Sequence, residues 1–280
     1  MMPALGGKIA LVTGASRGVG KGVALGLGEA GATVYVTGRT VSEPSAPEQL
    51  PGTIHSTAAD VTALGGKGIA IRCDHNDDIA TQDAFNRVLA EAGRLDILVN
   101  SAWGGYERMI ENGRFTWPDP FWQQPSWRWD AMFQSGVRAA YMASVCAARI
   151  MTQQRNGLIV NISFWASRKY IGNTAYGAAK AATDKMTRDM ARELRDHNVS
   201  VAGLYPGLVR TENVMRFAGA LDLSNSESPQ FIGRAVAALA SDANIARKSG
   251  EILVAASLAE EYGFTDVDGG TPKPLTLETA

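Results

Sequence analysis

Two cysteines in 280 residues, Cys73 and Cys146, cannot build a disulfide framework. Both stand in apolar segments and read as reduced, buried thiols. No apolar run reaches the roughly 18 residues of a membrane-spanning helix. Residues 1–8 lack the long apolar core of a secretion signal, so a cytoplasmic address is expected. Charge of either sign is balanced, 27 Lys and Arg against 28 Asp and Glu. A net charge of −1 creates no field for nucleic acid or for a membrane surface, and no basic arm or charge block is present. Cys73 and His75 could start a metal site, but no second cluster stands at metal spacing, and no metal is expected. No Pro/Ser-rich linker divides the chain. Residues 1–280 therefore read as one domain, with no repeat beyond the alternation of strand and helix.

What is present begins at the N-terminus. Residues 8–13 form a short buried-strand pattern, and a glycine-rich turn follows, Gly14-Ala15-Ser16-Arg17-Gly18-Val19-Gly20. A helical run, 21–30, and a second strand pattern, 33–37, come next. A glycine turn between a buried strand and a helix lets the backbone approach a pyrophosphate, and the helix start offers free N–H groups and a positive dipole end. Gly14, Ser16, Arg17, Gly18, Val19 and Gly20 are the candidates for holding a dinucleotide. A bare glycine pattern would read as a flexible turn; the strand before and after it favours the nucleotide reading.

The second strand ends on Thr37-Gly38-Arg39-Thr40, with no carboxylate before Glu43. An acid at that point would bond ribose hydroxyls and repel a 2′-phosphate, whereas Arg39 can bond a phosphate in bidentate fashion. Arg17 can reach the same place. NADP(H) is expected over NAD(H), which stays possible; the alternative is a pair of solvated surface arginines. Three further buried runs end on chemistry-bearing residues: 95–100 on Asn100, with Ser101 and Ala102 after it, 158–163 on Ser163, and 199–205 before Pro206-Gly207. In an open parallel sheet the ligand lies outside the carboxyl ends of the strands, so these ends share an edge with the glycine turn.

Tyr176 and Lys180 stand four apart in a helical run, which stacks them on one face. A neighbouring ammonium lowers a phenol pKa by roughly 1–3 units and makes it a usable acid or base. On spacing alone, an ordinary surface pair is by far the commoner reading.

Taken together, Thr13 to Gly20, Asn100-Ser101-Ala102, Ser163, the Tyr176/Lys180 pair and Pro206-Gly207 resemble the short-chain dehydrogenase/reductases in order and spacing, over about residues 8–256. Residues 31–39, 94–100, 249–253 and 262–269 narrow the resemblance to one branch of that family. The resemblance implies a single-domain, Rossmann-like, doubly wound parallel α/β sheet with helices on both faces. It implies that Tyr176 is the acid in carbonyl reduction and the base in alcohol oxidation, that Lys180 lowers its pKa and bonds the nicotinamide ribose, and that Ser163 polarises the substrate carbonyl. By the same resemblance Asp74 contacts the adenine, Asn100 and Ala102 border the cofactor, and Pro206, Gly207, Val209 and Thr211 lie along the nicotinamide. The two long helical runs, 126–154 and 175–197, would pair across a dimer axis, giving a homodimer or homotetramer; a plain core helix would look the same.

Two departures from the family pattern stand out. Gly136 occupies the position of an Asn that often relays protons, and Trp103 replaces a glycine after Ala102. Residues 103–129 hold five of the six tryptophans, with Tyr106, Phe115 and Phe121, and Phe164 and Trp165 follow Ser163. Trp103, Phe164 and Trp165 are candidate substrate contacts, and aromatics there suit a flat, apolar carbonyl compound. Alternatively, they pin a long loop to the core. Residues 209–229 form a second candidate lid, and 258–280 an extension folded over the pocket or over a neighbouring subunit. The functional expectation is an NADP(H)-dependent carbonyl reductase for apolar or aromatic ketones. An NAD-linked alcohol dehydrogenase and a non-catalytic NADPH-binding sensor or scaffold are the alternatives.

Overall fold

Ile9–Val12 is apolar throughout and Val199–Tyr205 is buried throughout with one serine, which suits strands covered on both faces. The computed structural model describes residues 4–43 and 49–280. The loop punctuation expected at Pro44 and Pro47 and the reading of residues 1–3 lie outside the described residues. In chain order the elements are β1 (Ile9–Val12), α1 (Gly18–Glu29), β2 (Thr33–Gly38), α2 (Ile54–Ala63), β3 (Lys67–Arg72), α3 (Asp78–Ala92), β4 (Ile97–Asn100), β5 (Ile110–Glu111), β6 (Arg114–Phe115), α4 (Ser126–Met132), α5 (Ala139–Gln154), β7 (Gly157–Ile162), α6 (Thr174–Leu194), β8 (Val199–Tyr205), α7 (Glu212–Met215), α8 (Pro229–Ser241), β9 (Ile252–Val254) and α9 (Ala255–Tyr262).

Seven strands form one parallel sheet in the order β3-β2-β1-β4-β7-β8-β9. Its register pairs Leu11 with Tyr35 on one side and with Leu98 on the other. The strand order reverses between β1 and β4, and the crevice at such a reversal is where ligands bind in sheets of this kind. Helices cover both faces. One core joins the β1, β2 and β4 side chains to Val23 and Leu27 of α1 and to Phe231, Ile232 and Val236 of α8. The other joins the sheet to Phe85 and Val88 of α3, Ala143 and Ala147 of α5 and Ala191 of α6. The expected single-domain Rossmann-like fold is present.

Helix starts follow their caps. Thr53 and Ser56 form a reciprocal capping box at α2, and the Asp77 carboxylate takes the amides of Ile79 and Ala80 at α3. The helical run expected over 126–154 is interrupted: α4 and α5 are joined through a π-helical stretch, Phe133–Arg138, that contains Gly136. Residues 103–125 carry the small antiparallel hairpin β5–β6, turned at Asn112-Gly113, both with positive φ (52° and 77°), the two-residue hairpin signature that the sequence does carry. Among the described residues no helix is long and apolar enough to cross a membrane.

Candidate active site

The chain leaves β1 and turns at Gly14, whose φ is 65°. A Cβ there would stand 2.6 Å from the Cα of Ala102, so only glycine lets the turn pass over the end of β4. The Thr13 hydroxyl accepts the amides of Ser101 and Ala102 at 2.9 and 3.0 Å and fixes that spacing. Helix α1 then starts at Gly18, with the amides of its first turn at the sheet edge. The Gly18 N–H donates to Oε2 of Glu212 at 2.8 Å. An anionic group of this chain thus sits on the turn that would cradle phosphate, and the donor set fits a pyrophosphate.

At the end of β2 the Arg39 guanidinium meets Oε1 of Glu107 at 2.8 Å. Arg17 donates to the carbonyls of Pro51 and Gly52 at 3.1 and 2.9 Å and to the Thr40 hydroxyl at 3.3 Å. It fastens the chain after the 44–48 stretch, which leaves Arg39 as the more available guanidinium. Burial pulls Arg17 below its ordinary range, opposed by the nearby carboxylates of Glu212 and Glu107. Asp74, just beyond β3, lines the same cavity and caps the Asn76 amide at 3.0 Å. His75 beside it is buried, with Nε2 2.8 Å from the Thr37 hydroxyl. That hydroxyl donates to the Val12 carbonyl, so it must accept from His75, and the ring is neutral with its proton on Nε2. Burial holds the His75 pKa down to about 4.

At the other end, the Asn173 side chain caps α6 by accepting the Tyr176 amide at 3.1 Å. This sets Tyr176 in the first turn and Lys180 one turn on, both buried and both on the cavity. The Tyr176 hydroxyl lies 2.8 Å from the hydroxyl of Tyr106. The Lys180 ammonium stands 4.1 Å above the Trp103 ring and 3.4 Å from the Ile162 carbonyl. Buried Ser163 follows β7, and its hydroxyl donates to the Lys180 carbonyl at 3.4 Å. Asn100 is held by the Ser144 hydroxyl and the Asn161 carbonyl oxygen, at 2.9 and 2.8 Å.

The electrostatics correct one expectation. Lys180 does not depress Tyr176 here: burial, reinforced by Tyr106, pushes the phenol well above its ordinary range. Burial also lowers the Lys180 pKa to about 8, against an upward pull from Asp184. The ammonium packs on the Trp103 ring at 4.1 Å and stands 5.7 Å from the centre of the Tyr176 ring, and desolvation of the buried phenol outweighs it.

The candidate catalytic, cofactor and substrate residues, Trp165 excepted, line one cavity of about 750 Å³ along the carboxyl edge of the sheet. Phe164 is extended, and the chain then enters a 3₁₀ turn that rotates Trp165 away, edge-on against Tyr205 at 5.1 Å. The aromatic stretch also divides. Trp103, Tyr106 and Trp117 surround Tyr176 at ring separations of 5.2–5.9 Å, while Phe115, Phe121, Trp122 and Trp129 are exposed. The C-terminal extension reaches its own pocket, with Leu275 and Thr279 in the lining. Tyr106 had been noted only as one aromatic among many, and Glu107 and Glu212 not at all. Their partners lie far away in sequence, and no local pattern marks them. Asp184, which accepts from Ser167 and Tyr205, could have been found as the residue one turn beyond Lys180.

A family model described as short chain dehydrogenase matches residues 8–220. The mouse protein named dehydrogenase/reductase SDR family member 1 is 38% identical, over 96% of this chain and 86% of its own length. A metagenomic short-chain oxidoreductase solved in complex with NADP has a TM-score of 0.69 and 30% identity, over 89% of this chain and 97% of that one. A 7α-hydroxysteroid dehydrogenase solved with NADH and 7-oxo glycochenodeoxycholic acid has a TM-score of 0.73 and 27% identity, over 90% and 93%.

Proposed function

Because the chain belongs to the short-chain dehydrogenase family, and so is an oxidoreductase of CH–OH and C=O groups that uses NAD(P), we propose that it is an NADP(H)-dependent carbonyl reductase for apolar or aromatic ketones. The observation that carries this reading is the convergence of Ser163, Tyr176 and Lys180 on the cavity that also holds the glycine turn and Arg39. When bound, the reduced nicotinamide supplies a hydride to the carbonyl carbon. As that carbon is reduced, the C=O π pair moves onto oxygen, and Tyr176 donates its proton there. Burial keeps the phenol protonated at neutral pH, which is the form that reduction requires. The Ser163 hydroxyl polarises the same oxygen. Lys180 supplies positive charge beside the phenolate left behind, which regains its proton from solvent. Gly14, Ser16, Arg17, Gly18, Val19, Gly20, Asp74, Asn100 and Ala102 would hold the adenosine and pyrophosphate, and Pro206, Gly207, Val209 and Thr211 the nicotinamide.

The substrate class rests on Trp103, Tyr106, Trp117 and Phe164, whose rings pack around the Tyr176 ring and favour flat apolar groups. The NADP(H) preference rests on Arg39. A charged hydrogen bond of the kind a 2′-phosphate would make contributes about 1.5–3 kcal/mol. Arg39→Ala should therefore weaken NADPH binding about ten- to a hundred-fold and leave NADH binding nearly unchanged. The test is to measure dissociation constants for both cofactors, and NADPH consumption across a panel of aryl and alicyclic ketones. NADH binding tighter than NADPH defeats the cofactor assignment. Tight NADPH binding with no turnover of any ketone defeats the reductase.

A further inference from the structure

Both flaps over the cavity are tied to it by a carboxylate that occupies an anion-binding point. Glu107, on the flap that follows β4, holds Arg39 at 2.8 Å. Glu212, at the start of α7 in the second flap, accepts the Gly18 amide at 2.8 Å. The first contact takes the guanidinium assigned above to a 2′-phosphate, and the second takes an amide of the turn assigned to the pyrophosphate. Next to Glu107 in the chain, Tyr106 holds the Tyr176 hydroxyl at 2.8 Å. A general acid must stand within hydrogen-bond reach of the group it protonates, and Tyr106 takes that place.

We propose that Glu107 and Glu212 are phosphate-mimicking latches, and that Glu107 couples binding of the cofactor's 2′-phosphate to uncovering of the catalytic tyrosine. Glu107 engages Arg39 through Nη2, and its negative charge at that point repels a 2′-phosphate from the same guanidinium. Once Glu107 is released, the turn that carries Tyr106 loses its tie to β2, and the Tyr176 hydroxyl becomes free to meet a carbonyl oxygen. Glu107 and Tyr106 are thus cofactor-specificity residues acting at the substrate end of the cavity. The latch suits this use because it is weak. Arg39 and Glu107 are both more than a third exposed, and an exposed pair contributes little, so a doubly charged phosphate outcompetes it. Glu212 answers a different part of the ligand, since a pyrophosphate is common to NADH and NADPH. The inference rests on the NADP(H) reading above.

The two latches make separable predictions for amide hydrogen exchange of the full chain, free and saturated with each cofactor. In the free protein Glu107→Gln should exchange about two- to five-fold faster over residues 104–117, and Glu212→Gln over 209–217, each leaving the other flap unchanged. In the wild type, NADPH and NADH should alter residues 209–217 alike, while residues 104–117 should differ between the two complexes. Glu107→Gln should abolish that difference. Identical exchange of 104–117 in the two saturated wild-type complexes overturns the proposal, as does an unchanged free Glu107→Gln variant. Affinity is read separately: NADPH binding no tighter than NADH fails the cofactor assignment, whereas exchange at saturation decides the latch.

Discussion

The cavity has two unlike walls. The wall made by residues 13–40 and 97–102 is fastened through backbone: the Thr13 amide to the Val99 carbonyl at 3.0 Å, the Ala15 amide to the Thr37 carbonyl at 2.9 Å. The wall made by 103–129 and 209–229 reaches across through side chains, Glu107 to Arg39, Glu212 to Gly18 and Tyr106 to Tyr176. Groups built into a sheet move only when the sheet does, while side-chain contacts between exposed groups cost about a kilocalorie per mole or less to break. Substitutions that disturb backbone packing at either wall should therefore register as stability, and those that only cut a side-chain contact with the ligand or across the cavity as function. Each prediction below tests that division.

Its sharpest test is Tyr176, where the walls meet. Tyr176→Phe removes the acid and the partner of the Tyr106 hydroxyl, but keeps the ring that packs against Trp103 and Trp117. Carbonyl reduction should fall about 10²- to 10⁴-fold, with the NADPH dissociation constant unchanged within about three-fold. Stopped-flow turnover and cofactor titration of one preparation decide the matter. A rate loss under ten-fold would remove Tyr176 from the chemistry.

Against the first wall, where it is bonded to Thr37, His75 should act on stability through pH. Its folded pKa of about 4 lies below the ordinary 6.5, because the buried ring is neutral, donates to Thr37, and faces the Cys73 thiol and the Thr81 hydroxyl with Nδ1. Between those two pH values the unfolded chain binds a proton that the folded chain refuses. Stability is therefore full above about pH 6.5 and falls as pH drops towards about 4, by about 3 kcal/mol. Urea unfolding of wild type and His75→Gln at pH 7 and pH 4 isolates this contribution from that of the carboxylates. The variant should lose about 3 kcal/mol less on acidification, and equal losses would show that the ring stays wet.

The same division explains what was legible in the sequence. Buried runs such as Leu98-Val99-Asn100 announce strands, and the glycine turn, Arg39, Ser163 and Tyr176/Lys180 follow from strand ends and from helical spacing. All of these belong to regular backbone, where side-chain direction has a fixed period. Trp165 was misread because a 3₁₀ turn breaks that period one residue after Phe164. Glu107 and Glu212 were invisible because their partners lie 68 and 194 residues away, joined by flaps with no repeating pattern. The direction of the Tyr176 shift was missed because spacing places Lys180 on the right face but does not say that its ammonium turns to Trp103.

Gly136 and Trp103 join the walls in one further way, and here the expected effect is smaller. A Cβ at position 136 would lie 2.5 and 2.6 Å from Cζ3 and Cε3 of Trp103. The two departures from the family pattern are thus one event: the indole fills the space that a side chain at 136 would take, and from there it covers the Lys180 ammonium at 4.1 Å. Gly136→Ala should cost about 1–3 kcal/mol through overpacking. Because the strain falls on Trp103, it should vanish when the indole is removed. Trp103→Gly with Gly136→Ala should then be more stable than the sum of the single effects by at least about 0.5 kcal/mol, the lower end for residues in direct contact. Strict additivity in a denaturation cycle would mean that the π-helical backbone, not the indole, demands the glycine, and the two walls would then be independent at this point.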